Sequence, residues 1–511
     1  MLQQIFLMLL IFALGWSITS PVLFNTPHRQ LSSFISLFVG CAVFSLQLFS
    51  LLVVQAYAPW SINFTFFLAV VLSLAIIGTI FKKYTYILKE LDRYDRLALY
   101  FWLVLIIAGG VLFTVFNYAS TSNDSHRYLQ LGEGLALTGF MVDEFFVTTH
   151  LLTSRSPFYS MFHALSRPFD IDYLWIFLPA YSGLFVLSFF WLTKCITNSF
   201  VSRSWSAWLI ATLSALLIFS SSFMVFNFYY INNHMFTSVH FTLFFLLGWL
   251  AIYSRSEKMA VLTVLILLPT TLMRFENILF VISFSFLLAS FMRSSQYTRY
   301  ILMLSGAVVL IVSIAYYIAL PYGTGGRFVG SDRMLQMAFL GFSTIMLAII
   351  VTYIKPLWNT WLKYKSYIPF LMLFFAILIV AKGFLFSFET AGVSVPIMIY
   401  NMLDNNIWNH FWYLIIFMFI FFLVLPDNGS YPYQLFFITG IGIFILFTIE
   451  LAHLRGSPYR IGAGDSANRM MVHIVPLIIA HFALKASYFI TEYKNKDNND
   501  HTDQTLSVSQ H

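Results

Sequence analysis

Long apolar runs alternate with short polar breaks along nearly the whole chain. The runs fall near 4–24, 32–56, 60–81, 97–116, 171–193, 205–226, 236–253, 259–273, 277–292, 300–320, 335–354, 367–388, 410–425, 433–452 and 470–488. Most have the 17–25 residues, roughly, that a helix needs to cross about 30 Å of hydrocarbon. A membrane β-barrel would alternate polar and apolar residues in segments of about ten, and this chain does not. The pattern predicts an all-α fold: a polytopic transmembrane helical bundle of about 13–15 membrane helices with no sizeable soluble domain. The pair 259–273 and 277–292 is short, and reads as two tilted helices or one helical hairpin.

The polar breaks orient the bundle. Loop 82–96 holds Lys82, Lys83, Lys89, Arg93 and Arg96, which makes it cytoplasmic by the positive-inside rule. Alternation then places Arg29, Lys194, Arg203, Arg255, Lys258, Arg293, Arg299, Lys355, Lys363, Lys365, Lys494 and Lys496 on that same side. The opposite side receives 117–170, 227–235, the turn at Arg274, 321–334, 389–409 and 453–469, with roughly half of the chain's 21 acids. Residues 1–81 carry few polar groups and read as an appended three-helix membrane segment. The working core runs over 97–490, with 117–170 as its long outer loop, and 491–511 read as a disordered cytoplasmic tail. The first run, Ile5 to Leu23, lacks a basic leading stretch and reads as a retained membrane helix rather than a cleaved signal.

Composition excludes several classes. Of 511 residues, 59% are hydrophobic and only 10% charged, against about a quarter charged in soluble proteins. Mean hydropathy is +0.81. Cys41 and Cys195 give neither a disulfide framework nor a zinc spacing. No phosphate-cradling glycine motif appears, which argues against ATP-driven transport, and nothing points to nucleic acid.

Chemistry concentrates in the outer breaks. Asp124 follows Thr121, Ser122 and Asn123, all suited to capping a helix N-terminus. A helix starting there places Asp124, Arg127, Tyr128 and Leu131 on one face, and Gly132, Gly134 and Gly139 would end or bend it. Asp124 is then either a base for an acceptor hydroxyl or a capping carboxylate paired with Arg127. Asp143 and Glu144, with Asp124, offer oxygen ligands to a divalent cation, or are simply solvated. Pro157 fits the first turn of a helix carrying Phe158, Tyr159, Phe162 and Leu165, which leads into the next span or forms an interfacial aromatic belt. Arg274 and Glu276 stand between two short apolar runs, as a functional cavity or as a turn that water reaches. The last outer loop brings Arg455, Arg460 and Arg469, with Asp465 or Ser466 placed to cap the final helix. Arg469 in that helix's first turn would oppose the dipole, which suggests an anion such as a lipid phosphate, or a salt bridge to an outer carboxylate. Arg327 and Arg333 are further phosphate candidates.

In order and sidedness these motifs resemble the GT-C superfamily of polytopic glycosyltransferases. Asp124 to Tyr128 and the glycines after them are similar to that family's first outer loop. Ser156-Pro157-Phe158-Tyr159 resembles its entry to the next span, and Arg274-Phe275-Glu276 the turn between two short helices. Asn468-Arg469 with Pro476 resembles the start of a late helix. Asn123 stands where many members have a second Asp, and Phe275 where Pro is usual.

The resemblance implies an inverting transferase on the non-cytoplasmic face. Its donor would be a polyprenyl-phosphate-linked sugar, and its acceptor a glycan, lipid or protein. Asp124 would act as general base. Arg127, Tyr128, Arg274, Glu276, Arg460, Asp465 and Arg469 would bind substrate. Short, undecorated loops fit a bacterial inner membrane with the site facing the periplasm. The alternatives are a lipid-linked glycan polymerase or ligase, and a transporter or flippase without covalent chemistry. Transporters of that kind usually carry repeats, and the sequence has none.

Overall fold

The computed structural model describes residues 2–23, 31–53, 123–138, 157–164, 177–201, 204–319, 331–404, 408–424, 431–454 and 466–508, with a few isolated positions between them. Every regular element there is helical. Among the described residues, seven helices are long and apolar enough to cross a membrane, or up to nine if each of two bent pairs is one span. The chain is an integral, multi-pass membrane protein. The expected segments 60–81 and 97–116, and the basic loop 82–96, lie outside the described residues.

The bundle is built around α8 (His234–Tyr253), 94% of whose span is buried. Around it stand α5 (Phe177–Asn198), α9 (Glu257–Leu267), α11 (Asn277–Phe291), α18 (Tyr431–Leu454) and α20 (Val475–Val508). Phenylalanine does most of the packing: Phe241, Phe244 and Phe245 of α8 meet Phe280 and Phe284 of α11 and Phe436, Phe437 and Phe444 of α18. In lipid the tails are as apolar as these side chains, so close packing and internal hydrogen bonds hold the helices together. One such tie crosses three helices. His240 Nδ1 lies 2.6 Å from the Ile266 carbonyl, which can only accept, so Nδ1 carries the proton. The other ring nitrogen, Nε2, therefore accepts from the Tyr181 hydroxyl at 2.8 Å.

The first two helices pack on the rest of the bundle. In α2 (Leu31–Val53), Phe34 stacks on Trp191 at 4.9 Å, Phe38 meets Tyr181 edge-on at 4.9 Å, and the Phe34 carbonyl accepts from Ser188 Oγ at 2.6 Å. The partner helix α1 (Leu2–Leu23) packs along α2. A second tight hairpin joins α12 (Ser295–Ala319) to α13 (Ser331–Tyr353). Its backbones approach so closely that a Cβ at Gly341 would lie 2.7 Å from Leu310 N. A surface helix, α14 (Lys355–Tyr364), then leads through a 3-10 turn into α15 (Ile368–Phe386).

Contacts between helix ends define two poles. At one, Tyr253 Oη donates to Ser199 O at 3.1 Å and Thr491 Oγ1 to Phe200 O at 2.9 Å. At the same end Glu257 accepts from Ser294 N at 2.9 Å, and Lys365 donates to Met292 O. The exposed cations Arg255, Lys258, Arg293, Lys355 and Lys363 gather here. The sequence assigns this set to one membrane side, and the helix ends bring it together.

The described part of the fifth run, from Phe177, is helical. The break 389–409 contains a helix, α16 (Phe388–Leu403), with Pro396 inside it. Helix α20 continues through polar residues to Val508, because extending an existing helix costs far less than nucleating one.

Candidate functional site

At the opposite pole, four chain segments meet. The first is α3 (Asn123–Thr138), which begins one residue before Asp124. Ser125 Oγ donates to Ile231 O at 2.9 Å, tying the start of α3 to the turn that precedes α8. Tyr128, Leu131 and Leu135 are buried on one face, while His126 is exposed. The side chains of Asp124 and Arg127 lie outside those described. Contrary to expectation, Gly132 and Gly134 neither end nor bend α3, which runs to Thr138. Gly132 is there for contact. A Cβ would stand 2.7 Å from His163 Cδ2 and 2.9 Å from Ser160 O, both on α4 (Pro157–Ala164).

All eight residues of α4 are buried, so it is no interfacial belt. Ser160 Oγ donates to Tyr128 O at 3.0 Å, and His163 Nε2 lies 3.3 Å from Glu133 Oε1. Helices α3 and α4 thus dock on the core as one unit.

The second segment is the turn Tyr230 to Asn233. The third is the Arg274–Glu276 turn between α10 (Thr270–Met273) and α11. They are joined directly, because Asn233 Nδ2 donates to Met273 O at 2.9 Å. Asn277 Nδ2 donates to Thr270 O at 2.9 Å and holds the third turn closed from inside. Arg274 Nε faces Glu276 Oε2 at 3.6 Å, with the side chains 15% and 23% exposed. Tyr316, buried on α12, lies edge-on to Phe275 at 5.8 Å and within electrostatic reach of Tyr128 and Glu276.

The fourth segment is the start of the last helix. Here the expected single helix is divided into α19 (Ser466–Met470), a 3-10 turn (Met471–His473) and α20, bent by 46°. Pro476 explains the break. It has no N–H for the carbonyl four residues back, Val472 O. That carbonyl instead accepts from Ser238 Oγ of α8 at 2.8 Å. Arg469 therefore stands in the last turn of α19, where a cation favours the dipole, and not in the first turn of the long helix. One turn on, His473 Nε2 lies 2.9 Å from His234 Nδ1. Arg274 and Glu276 both act electrostatically on His473. Asn468 Oδ1 accepts from Trp408 Nε1 at 2.6 Å, both residues buried.

Comparison with protein-family models, with curated proteins and with solved structures gives no match for this chain.

Of the residues singled out in the sequence, the structure brings Tyr128, Arg274, Glu276 and Arg469 to this pole. Arg460, Asp465, Asp143, Glu144, Arg327, Arg455 and Leu165 lie outside the described residues, as do the side chains of Asp124, Arg127 and Arg333. Among the described residues, no group of three His, Cys, Asp or Glu could hold a metal ion. Sequence reasoning missed His234, Asn233 and Tyr316. The signal for the first two was present: Asn232-Asn233-His234 is a polar triplet opening a long apolar run, which forms the most deeply buried candidate span among the described residues. Asn277 Oδ1, the Tyr316 hydroxyl and His473 Nδ1 are buried here with no hydrogen-bond partner among the described residues. Each such group costs about 1–3 kcal/mol unless something pairs it.

Proposed function

We propose that the protein is a membrane glycosyltransferase that moves a sugar from a polyprenyl-phosphate donor to an acceptor hydroxyl, inverting the anomeric carbon, at the pole opposite the basic one. In this reading Asp124 takes the hydroxyl proton as the acceptor oxygen bonds to the anomeric carbon. The bond from that carbon to the phosphate oxygen breaks, and its electron pair leaves with the lipid phosphate. Arg274 and Arg469 stabilise the charge that grows on the leaving group.

One observation supports this reading most: Ser125, the residue after Asp124, donates its hydroxyl to the Ile231 carbonyl, in the segment whose His234 contacts His473, one turn beyond Arg469. A carboxylate at a helix start and a guanidinium at a helix end are thereby borne by segments of the same polar cluster. A base that removes a proton in the transition state contributes about 10²–10⁴-fold. Asp124→Asn in proteoliposomes with a radiolabelled polyprenyl-phosphate sugar should lower transfer by that factor and leave expression unchanged. Near-normal transfer by this variant rules out Asp124 as the base.

A further inference from the structure

Helix α14 (Lys355–Tyr364) differs from every other described helix of its length: none of its residues is buried. It follows α13, and the candidate span that holds α15 begins at Lys355, so α14 forms the end of that 32-residue helical run. At about 1.5 Å per residue the run exceeds the roughly 30 Å of hydrocarbon, which sets its end at the headgroup boundary. Its sequence divides the helix into two arcs at 100° per residue. Leu357, Trp358, Trp361, Leu362 and Tyr364 fill one arc, while Lys355, Asn359, Thr360 and Lys363 fill the other. Leu357 and Leu362 are each 39% exposed and Tyr364 50%.

The surroundings are cationic. Arg293 is exposed and within electrostatic reach of Lys365, which itself donates to Met292 O. Arg299 lies over the Tyr353 ring at 4.5 Å. The one described carboxylate in this corner, Glu257, accepts from Ser294 N. Tryptophan and tyrosine on one arc with lysine on the other is the composition that lies along the headgroup–acyl boundary of a membrane.

We infer that α14, with Arg293 and Arg299, is a docking surface for anionic phospholipid headgroups at the pole opposite the candidate site. Charge complementarity selects this occupant over a zwitterionic surface. The place of α14 at the headgroup boundary selects a lipid over a soluble protein. The inference is independent of the proposed reaction.

The test uses the full chain in proteoliposomes. Cys41 and Cys195 are buried, so an environment-sensitive thiol dye can be placed at Leu357→Cys. In vesicles with roughly one-third phosphatidylglycerol, whose surface potential attracts basic segments, the dye should shift to the blue. It should be quenched by a shallow spin-labelled lipid and protected from aqueous iodide. The shift should shrink in high salt, and Lys355→Gln with Lys363→Gln should lower the docked fraction roughly tenfold. Equal emission in phosphatidylcholine and phosphatidylglycerol vesicles overturns headgroup recognition. Iodide quenching in both overturns membrane docking altogether, and leaves the face to a soluble partner.

Discussion

At one end of the bundle five cations stand on the surface; at the other, polar side chains are sealed inside. Arg255, Lys258, Arg293, Lys355 and Lys363 are exposed at the first end. At the second, His234, Asn233, Asn277 and His473 are at most 2% exposed. Exposed cations cost little and serve to orient the chain across the membrane. Buried polar groups cost folding free energy unless each finds a partner. The second pole finds partners between segments far apart in sequence: Ser125 with Ile231, Asn233 with Met273, Ser238 with Val472, His234 with His473. The difference separates a pole of exposed cations from a pole whose polar side chains are buried and tied to one another.

That contrast can be broken by mutation. The largest effect is expected at the buried pole with Arg274→Gln, which removes the cation facing Glu276 and reaching His473. Transfer from the lipid-linked donor should fall roughly 100-fold, the scale of one lost electrostatic stabiliser. Less than a twofold change would detach the Arg274–Glu276 turn from function. Next comes Gly132→Val, which drives a side chain into His163 and the Ser160 carbonyl and should destabilise the α3–α4 unit by about 1–3 kcal/mol. Thermal unfolding in detergent measures this, and unchanged stability would mean α3 is not seated against α4. The smallest change belongs to the other pole: Lys355→Gln should stay within about 0.5 kcal/mol of the parent in the same assay.

Much of this was legible from hydropathy. The spans followed from run length, and the grouping of basic residues followed from alternation. Lipid-facing and core-facing helices were not distinguishable, because lipid is as apolar as the core. The span holding α8 is 94% buried at mean hydropathy 1.8, while that holding α15 is 17% buried at 2.4. For the same reason hydropathy did not show that Phe34 and Phe38 of α2 pack on Trp191 and Tyr181 of α5. Gly132 was misread because glycine marks helix ends and close helix contacts alike. In the site, Arg274, Glu276 and Arg469 stood out as charges beside apolar runs. The His234–His473 contact joins positions 239 apart in sequence, and no local pattern carries it. Pro476 was visible, but the acceptor it frees at Val472 finds its donor only in the assembled bundle.

The central claim is that the start of α3 and the Arg469 segment share one face of the membrane, opposite the basic cluster. Single cysteines at His126, Arg469, Arg255 and Lys355, treated with a membrane-impermeant maleimide in oriented vesicles, test it most directly, with little background from the buried Cys41 and Cys195. His126→Cys and Arg469→Cys should react from one side, and Arg255→Cys and Lys355→Cys only from the other. Labelling of His126→Cys and Arg469→Cys from opposite sides would contradict the account.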